Sequence, residues 1–485
     1  MAVCSFGKFP LRGLFQADWP FGTELYVRML YVKAQETEAL IAAVDSADTF
    51  PAETARFREG VARLTGIPAD NIWYHELQLH AAPGSNQLKG ESMERIIARA
   101  AAEALAMRAR AVPFTCQVAE ADVGTRFSVN REQYVEGLGG VTVWAGLDFD
   151  EQGRAYTQNP EIMLLRGYRP NLPVFDKPIY FDNPVDSKAY LFVFSDGAGR
   201  VIGTLSRFAA HPDVAVLFES ILFDHTDLQS KYHYDYDWPG TISQCLEEAF
   251  GAPSLYLNGP CANLCTKKHY SHMDTYEAAA AECRRIGREI AAALLTRYGE
   301  KREALGDSSR LRAVRFSVEL PMREDFPRSA AEALDGLSEK KESAERALRQ
   351  AIERGDPAFA IKRLIDDRYR LDANYHYLYG VCGFDEETLK RHTVSVSVSA
   401  LQLGDYLFIG VPGESLVEMG EWLRSTFTGA KTIPVDQVNG YYSYMATPTT
   451  LTLGGYTYWS SWVTRESIPV LKRAIQEKLG AFLAE

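Results

Sequence analysis

The apolar positions of this chain change period several times along its length. "ELYVRMLYVKA" (24–34) is a nearly continuous apolar, β-rich run and predicts a strand. "TFPAETARFREGVARLTGI" (49–67) has helical spacing, with Pro51 suited to a first turn. "DNIWYHELQLH" (70–80) returns to strand character. "GESMERIIARAAAEALAMRARA" (90–111) predicts a long helix with an alanine-rich interior. Strand, helix, strand, helix predicts an α/β fold of mixed β-sheets with flanking helices.

The rest of the chain repeats these textures. "AYLFVFSDGAGRVIGTLSRFAAHP" (189–212) predicts two strands about a glycine turn. Gly197 and Gly199 lack GxGxxG spacing and no helix follows directly, so this is a turn and not a dinucleotide loop. "PGTISQCLEEAFG" (239–251) predicts a helix closed by glycine, "PSLYLNG" (253–259) a strand, and 274–299 a long helix beginning at Asp274. Residues 337–372 are charged, with alternating signs, and predict a solvated helical excursion, a lid or a homo-oligomer contact. "TVSVSVSALQLGDYLFIGVPGE" (393–414) alternates strictly and predicts a half-buried strand. No internal repeat or low-complexity tract stands out.

Composition narrows the classes. The 485 residues are 46% hydrophobic and 24% charged, as in soluble globular proteins. A net charge of −12 without a Lys/Arg stripe argues against nucleic acid as a partner. No apolar run has the length of a membrane span, and the N-terminus lacks a signal-peptide pattern. Seven scattered cysteines make no disulfide framework, so a cytoplasmic location is expected. Cys261 and Cys265 lie close together and read as two buried thiols.

Candidate chemistry gathers at strand exits. On a strand over 73–80, Glu76, Gln78 and His80 share one face just before the Pro83-Gly84 turn. His80 there either serves a site or caps a core edge through a hydrogen bond. "RFAAHPD" delivers His211 at the end of an apolar strand, and "IGVPGES" delivers Glu414. "NGYYSYMATPTT" places Tyr441, Tyr442 and Tyr444 in one turn region. Histidine, glutamate and tyrosine in such positions suit a metal hydrolase, whose ligands leave one zinc position open for water.

These segments, in this order, resemble the neutral/alkaline, non-lysosomal ceramidases. "NIWYHELQLHAAPG" (71–84) is similar to that family's "NVxxxxTHTHSGPG", and "GTLSRFAAHPDV" (203–214) to its "GxxxWFAxHPTS". "VNREQ" (129–133) is similar to "INRSP", and "YLNGPCANLCTK" (256–267) faintly to "FxQxxxGDxSPN". "VPGESLVEMGEWLR" (411–424) is similar to "VPGEFTTMAGRRLR", and "NGYYSYMATPTTL" (439–451) to "NxYxxYVTTPEEY". The resemblance spans about residues 5 to 470. It implies one ceramidase-like catalytic domain over 1–485 with the 337–372 insertion and without a C-terminal immunoglobulin-like domain.

The resemblance also implies roles. His211, Glu414 and Tyr444 match zinc ligands, with Tyr441 the near alternative to Tyr444. His80 matches a histidine that contacts the reacting amide, and Arg131 an arginine that holds an oxyanion. The departures bear on the metal. Gln78 stands where the family has a histidine ligand, Ala81-Ala82 replace Ser-Gly, and Asn263, Cys265 and Thr266 alter the "GDxSPN" loop. A neutral amide is a poor zinc ligand. Three outcomes follow: zinc persists with His80 taking the empty place, an oxygen-preferring metal binds Gln78, Glu414 and Tyr444, or the metal is gone. The implied activity is hydrolysis of a non-peptide N-acyl amide by a metal-activated water, on a small-molecule substrate smaller than ceramide. The aromatic stretches 231–240 and 454–462 are candidates to line its pocket. The alternatives are a metal-free enzyme of specialised metabolism and a non-catalytic binding homologue.

Overall fold

The computed structural model describes residues 2–143, 148–152, 154–157, 178–215, 233–266, 275–372 and 383–484. Its first unit holds strands β1 (Val3–Pro10), β2 (Tyr26–Ala34) and β3 (Thr37–Val44), helix α1 (Pro51–Thr65), strand β4 (Ile72–Glu76) and helix α2 (Glu91–Arg110). The second follows the same order: β5 (Val112–Asp122), β6 (Lys188–Asp196), β7 (Val201–Phe208), α3 (Asp237–Phe250), β8 (Ser254–Asn258) and α4 (Tyr276–Glu300). The third does so again. After β9 (Leu311–Pro321) comes a charged pair, α5 (Leu337–Arg354) and α6 (Ala358–Asp372), then β10 (Thr393–Leu403), β11 (Tyr406–Gly410), α7 (Val417–Thr426), β12 (Lys431–Val435) and α8 (Ser467–Ala484).

Pairing repeats with the order. Within each unit the first three strands are antiparallel neighbours, and the fourth lies parallel to the third. A helix makes each parallel crossover, as such a connection requires. The closing helix packs back on the first strand: α2 on β1, α4 on β5, α8 on β9. Units one and two join through β1 and β5 into one sheet, in the order β8-β7-β6-β5-β1-β2-β3-β4, while unit three forms its own four-stranded sheet. The sequence shows no repeat because each unit meets its pattern with different residues.

Apolar contact binds the sheets. Phe192 of β6 lies 5.0 Å from the Tyr406 ring and 5.3 Å from the Phe408 ring on β11. Phe6 on β1 meets Phe194 at 5.2 Å, and its ring fills the place where Gly203 lacks a side chain. The single half-buried strand expected over 393–414 is two strands joined at Gly404-Asp405, and β10 is buried on both faces over most of its length. One face meets the large sheet and the other α8, which explains the difference. Strands β1, β3 and β5 escape the sequence pattern: β1 carries Gly, Lys and Pro, and β3 is alanine-rich. Asp274 and Cys382 lie outside the described residues, and the described part of α4 starts at Tyr276 with Thr275 as its cap. No described helix is long and apolar enough to cross a membrane.

A buried ion cluster ties units two and three. Asp186 accepts from Arg207 of β7 at 2.5 Å and from Arg424 of α7 at 2.6 Å. Arg207 also donates to the Pro434 carbonyl of β12 at 3.1 Å. Burial pushes the Asp186 carboxyl up, but the two guanidiniums outweigh it and hold it below the ordinary range. A depressed carboxyl adds stability that is present above its unfolded pKa and lost as pH falls through the folded one. Asp186→Ala leaves the buried Arg207 and the partly exposed Arg424 without their carboxylate and should cost about 3–5 kcal/mol. The urea midpoint should fall accordingly at neutral pH, and the gap to the wild type should shrink in acid.

Candidate active site

The site lies where the three units end their strands. Strand β4 stops at Glu76, short of the predicted strand over 73–80. Leu77 and Leu79 then donate to the carbonyls of Val44 and Ser46, and Gln78 between them has φ 59°. That left-handed residue breaks the alternation, so Glu76, Gln78 and His80 do not share a strand face. Glu76 is fully buried, and burial beside Asp48 pushes its carboxyl well up. Gln78 instead reaches His211, its amide nitrogen 2.9 Å from Nε2.

Residues 436–439, after β12, stitch the two edges of the large sheet. The Asp436 amide donates to the Asn258 carbonyl at the end of β8. Asn439 exchanges hydrogen bonds with the Tyr74 backbone on β4 through its amide and its Oδ1. The edges also touch directly, since the Asn258 amide donates to His75 Nε2 at 2.9 Å. Burial keeps His75 neutral, pushed down to about 4. Edge strands without partners would be open to association; here their ends are closed against one another and the site sits beside the closure.

The segment after β8, 259–266, holds the candidate side chains. The Leu264 carbonyl accepts from the His211 amide, and the Cys261 carbonyl lies 2.8 Å from His211 Nδ1. A carbonyl only accepts, so Nδ1 carries a proton. Arg131 is wrapped likewise: its amide donates to Asn263 O, Nη2 to Ala262 O at 2.5 Å, and Nη1 reaches Cys265 Sγ at 3.3 Å. It also reaches Tyr444, whose hydroxyl oxygen accepts from Nη2 at 2.8 Å. The Ala262 amide donates to Ser415 O, and Asn263 Oδ1 accepts from the Val417 amide at 2.9 Å.

Glu414 and Tyr444 arrive as a pair, directly opposite in a two-strand parallel bridge, with the Glu414 amide on Ser443 O. Glu414 Oε2 stands 3.3 Å from His211 Nε2, is buried, and has no hydrogen-bond partner. Burial raises its carboxyl, yet His211, Tyr444 and Arg131 together hold it below the ordinary range. The His80 ring centroid is 5.7 Å from that of His211. Gln78, His80, Glu414, Tyr441, Tyr444 and Tyr456 face one cleft of about 330 Å³, closed outside by Trp19, Asp48 and Tyr234. Tyr234 and Tyr456 come from the two aromatic stretches singled out in the sequence, and Tyr441 packs its ring on Trp462 at 5.7 Å. Sequence reading missed Trp19, Asp48 and Asp436, since nothing local sets them apart from other loop residues.

Cys261 and Cys265 are both buried, as two structural thiols should be. Burial pushes the Cys261 thiol well up, which removes it as a nucleophile near neutral pH. The expected zinc meets an equally plain obstacle. Among the described residues no three His, Cys, Asp or Glu side chains are placed to hold a metal ion. One imidazole, one carboxylate, a neutral amide and a phenol do not match the donors zinc selects. His80 keeps its own place 5.7 Å from the His211 ring and does not fill the gap left at Gln78.

The fold is that of the neutral ceramidases. The crystal structure of the neutral ceramidase from Pseudomonas aeruginosa superposes with a TM-score of 0.63 at 13% identity, over 98% of this chain and 73% of that one. A structure of ceramidase complexed with C2 gives 0.61 at 13% identity, over 98% and 74%. No family model and no curated protein sequence matches the chain.

Protein purified without chelators should hold less than about a tenth of an equivalent of zinc by elemental analysis. Gln78→His puts a second imidazole beside His211 and should bring the content toward about one equivalent, as an added nitrogen donor completes the set. Stoichiometric zinc in the unaltered protein would show that the donors suffice.

Proposed function

We propose that this protein hydrolyses a small N-acyl amide with the Glu414–His211 pair, without zinc. The observation that supports it is the Glu414 carboxylate, which lines the cleft, ionised, with its buried Oε2 3.3 Å from His211 Nε2. Water adds through its oxygen to the amide carbon and gives its proton to the pair, which becomes a carboxylate and an imidazolium. The Cys261 carbonyl fixes the ring for this by holding Nδ1–H. The carbonyl oxygen becomes an oxyanion facing the Tyr444 hydroxyl, a stronger donor because Arg131 donates to its oxygen. On collapse the C–N bond breaks, the proton taken up by His211 passes through the neighbouring His80 to the departing nitrogen, and a carboxylic acid and an amine leave the pair as it began. The ceramidase fold supports the reaction class. The cleft of about 330 Å³ supports a substrate smaller than a long-chain lipid.

A second reading has a cation between Glu414 and His211, which would satisfy the same oxygen. The two separate by metal analysis and chelation. Under the first reading hydrolysis survives strong chelator, Glu414→Gln lowers kcat by about a hundredfold or more, and Tyr444→Phe by about tenfold to a hundredfold. Hydrolysis of a panel of short N-acyl amides, followed by amine release, is the assay. Unchanged kcat in Glu414→Gln would sink both readings.

A further inference from the structure

The hydrolase reading leaves the substrate open, and the cleft wall bears on it. Its rings are Trp19, Tyr234, Tyr441, Tyr444, Tyr456 and the imidazole of His80, and its two carboxylates are Asp48 and Glu414. No Lys or Arg lines it among the described residues. A third carboxylate, Asp18, stands at the rim, where Gln87 donates to it at 3.0 Å. Trp19 and Tyr234 pack at 5.2 Å, and Asp48 is anchored beyond them by the Ser85 hydroxyl at 2.6 Å. Of the cations close by, Lys89 reaches the lining residue Asn86 at 3.4 Å from the exposed side, and Arg131 lies against the Tyr444 and Tyr456 rings with its charge met by Glu414. Aromatic faces and carboxylates in a partly dry cleft attract a cation and reject an anion.

We propose that the amide cut here carries a protonated amine a few carbons from the scissile bond, as a mono-N-acylated diamine does, and that Asp48 with Trp19 and Tyr234 receives the ammonium. This rests on the hydrolase reading for turnover, though not for binding. A fatty amide brings Asp48 no opposite charge, and an anionic N-acyl amino acid brings it a like one.

The test compares N-acetylcadaverine with its neutral isostere N-hexylacetamide, for hydrolysis and for thermal stabilisation of the full chain. The cationic compound should have at least about tenfold higher kcat/KM, an advantage that shrinks with salt as charge recognition does. Asp48→Asn, which can still accept from Ser85, should bring the ratio toward one, and Trp19→Leu should lower it independently. Equal hydrolysis of the two compounds overturns the inference and leaves the hydrolase reading standing. Stabilisation by N-acetylcadaverine alone, with neither compound cleaved, supports the ammonium site and sinks the hydrolase reading. Neither binding nor cleavage of N-acetylcadaverine overturns it.

Discussion

The site depends on the carbonyls of one loop. Between Gly259 and Thr266 the chain points four carbonyl oxygens at two residues, two at their backbone amides and two at their side chains. His211 takes two, at its amide and its Nδ1, and Arg131 takes two, at its amide and its guanidinium. A buried guanidinium or imidazole left without such acceptors would be costly, and with them each has one orientation. Gly259 starts the loop because nothing larger fits: a Cβ there would meet Arg207 Nη2 at 1.7 Å. That guanidinium is itself held by Asp186 and by Pro434. The ion cluster between units two and three and the geometry of His211 are thus successive steps of one packing arrangement.

The threefold order of elements explains why the site lies where it does. Each unit ends its third and fourth strands side by side and parallel, so each offers two chain exits at one edge. His211 and Glu414 follow third strands, Gln78, His80 and the 259–266 loop follow fourth strands, and Tyr444 lies beyond the 436–439 stitch. Strand exits meeting at a crevice are the usual place for sites in α/β folds. Here three such pairs meet, and Asn439 and Asp436 hydrogen-bond the other two units into register.

Much of this was legible in the sequence, and the remainder has physical reasons. Long helices such as α1, α2 and α4 showed by period, since one face of each is buried. Strands β3 and β5 did not show, because an alanine-rich or evenly mixed run satisfies either a helix or a strand until tertiary contacts decide. Position of the polar residues at strand ends brought out His211 and Glu414, and the structure sets them 3.3 Å apart. The fate of Gln78 could not be read from alternation, because a single residue at φ 59° turns its side chain away from the expected face. Asp48 and Trp19 reach the cleft from another unit edge and a connecting loop, and only the folded chain places them there.

Each unit carries an excursion between its first and second strands. The excursions begin and return at paired residues: Pro10 opposite Tyr26, Asp122 opposite Lys188, Pro321 opposite Thr393. The two ends of every excursion are therefore held one strand spacing apart, about 4.8 Å, whatever its length. Doubling such a segment adds only about 0.6 kcal/mol of closure entropy. Arg131 reached the site on one excursion, and the helices α5 and α6 pack beside Tyr458 and Trp459 on another. The scaffold thus behaves as three sockets around one chemical centre, so that new walls can be plugged into the cleft without moving the strands that aim His211 and Glu414.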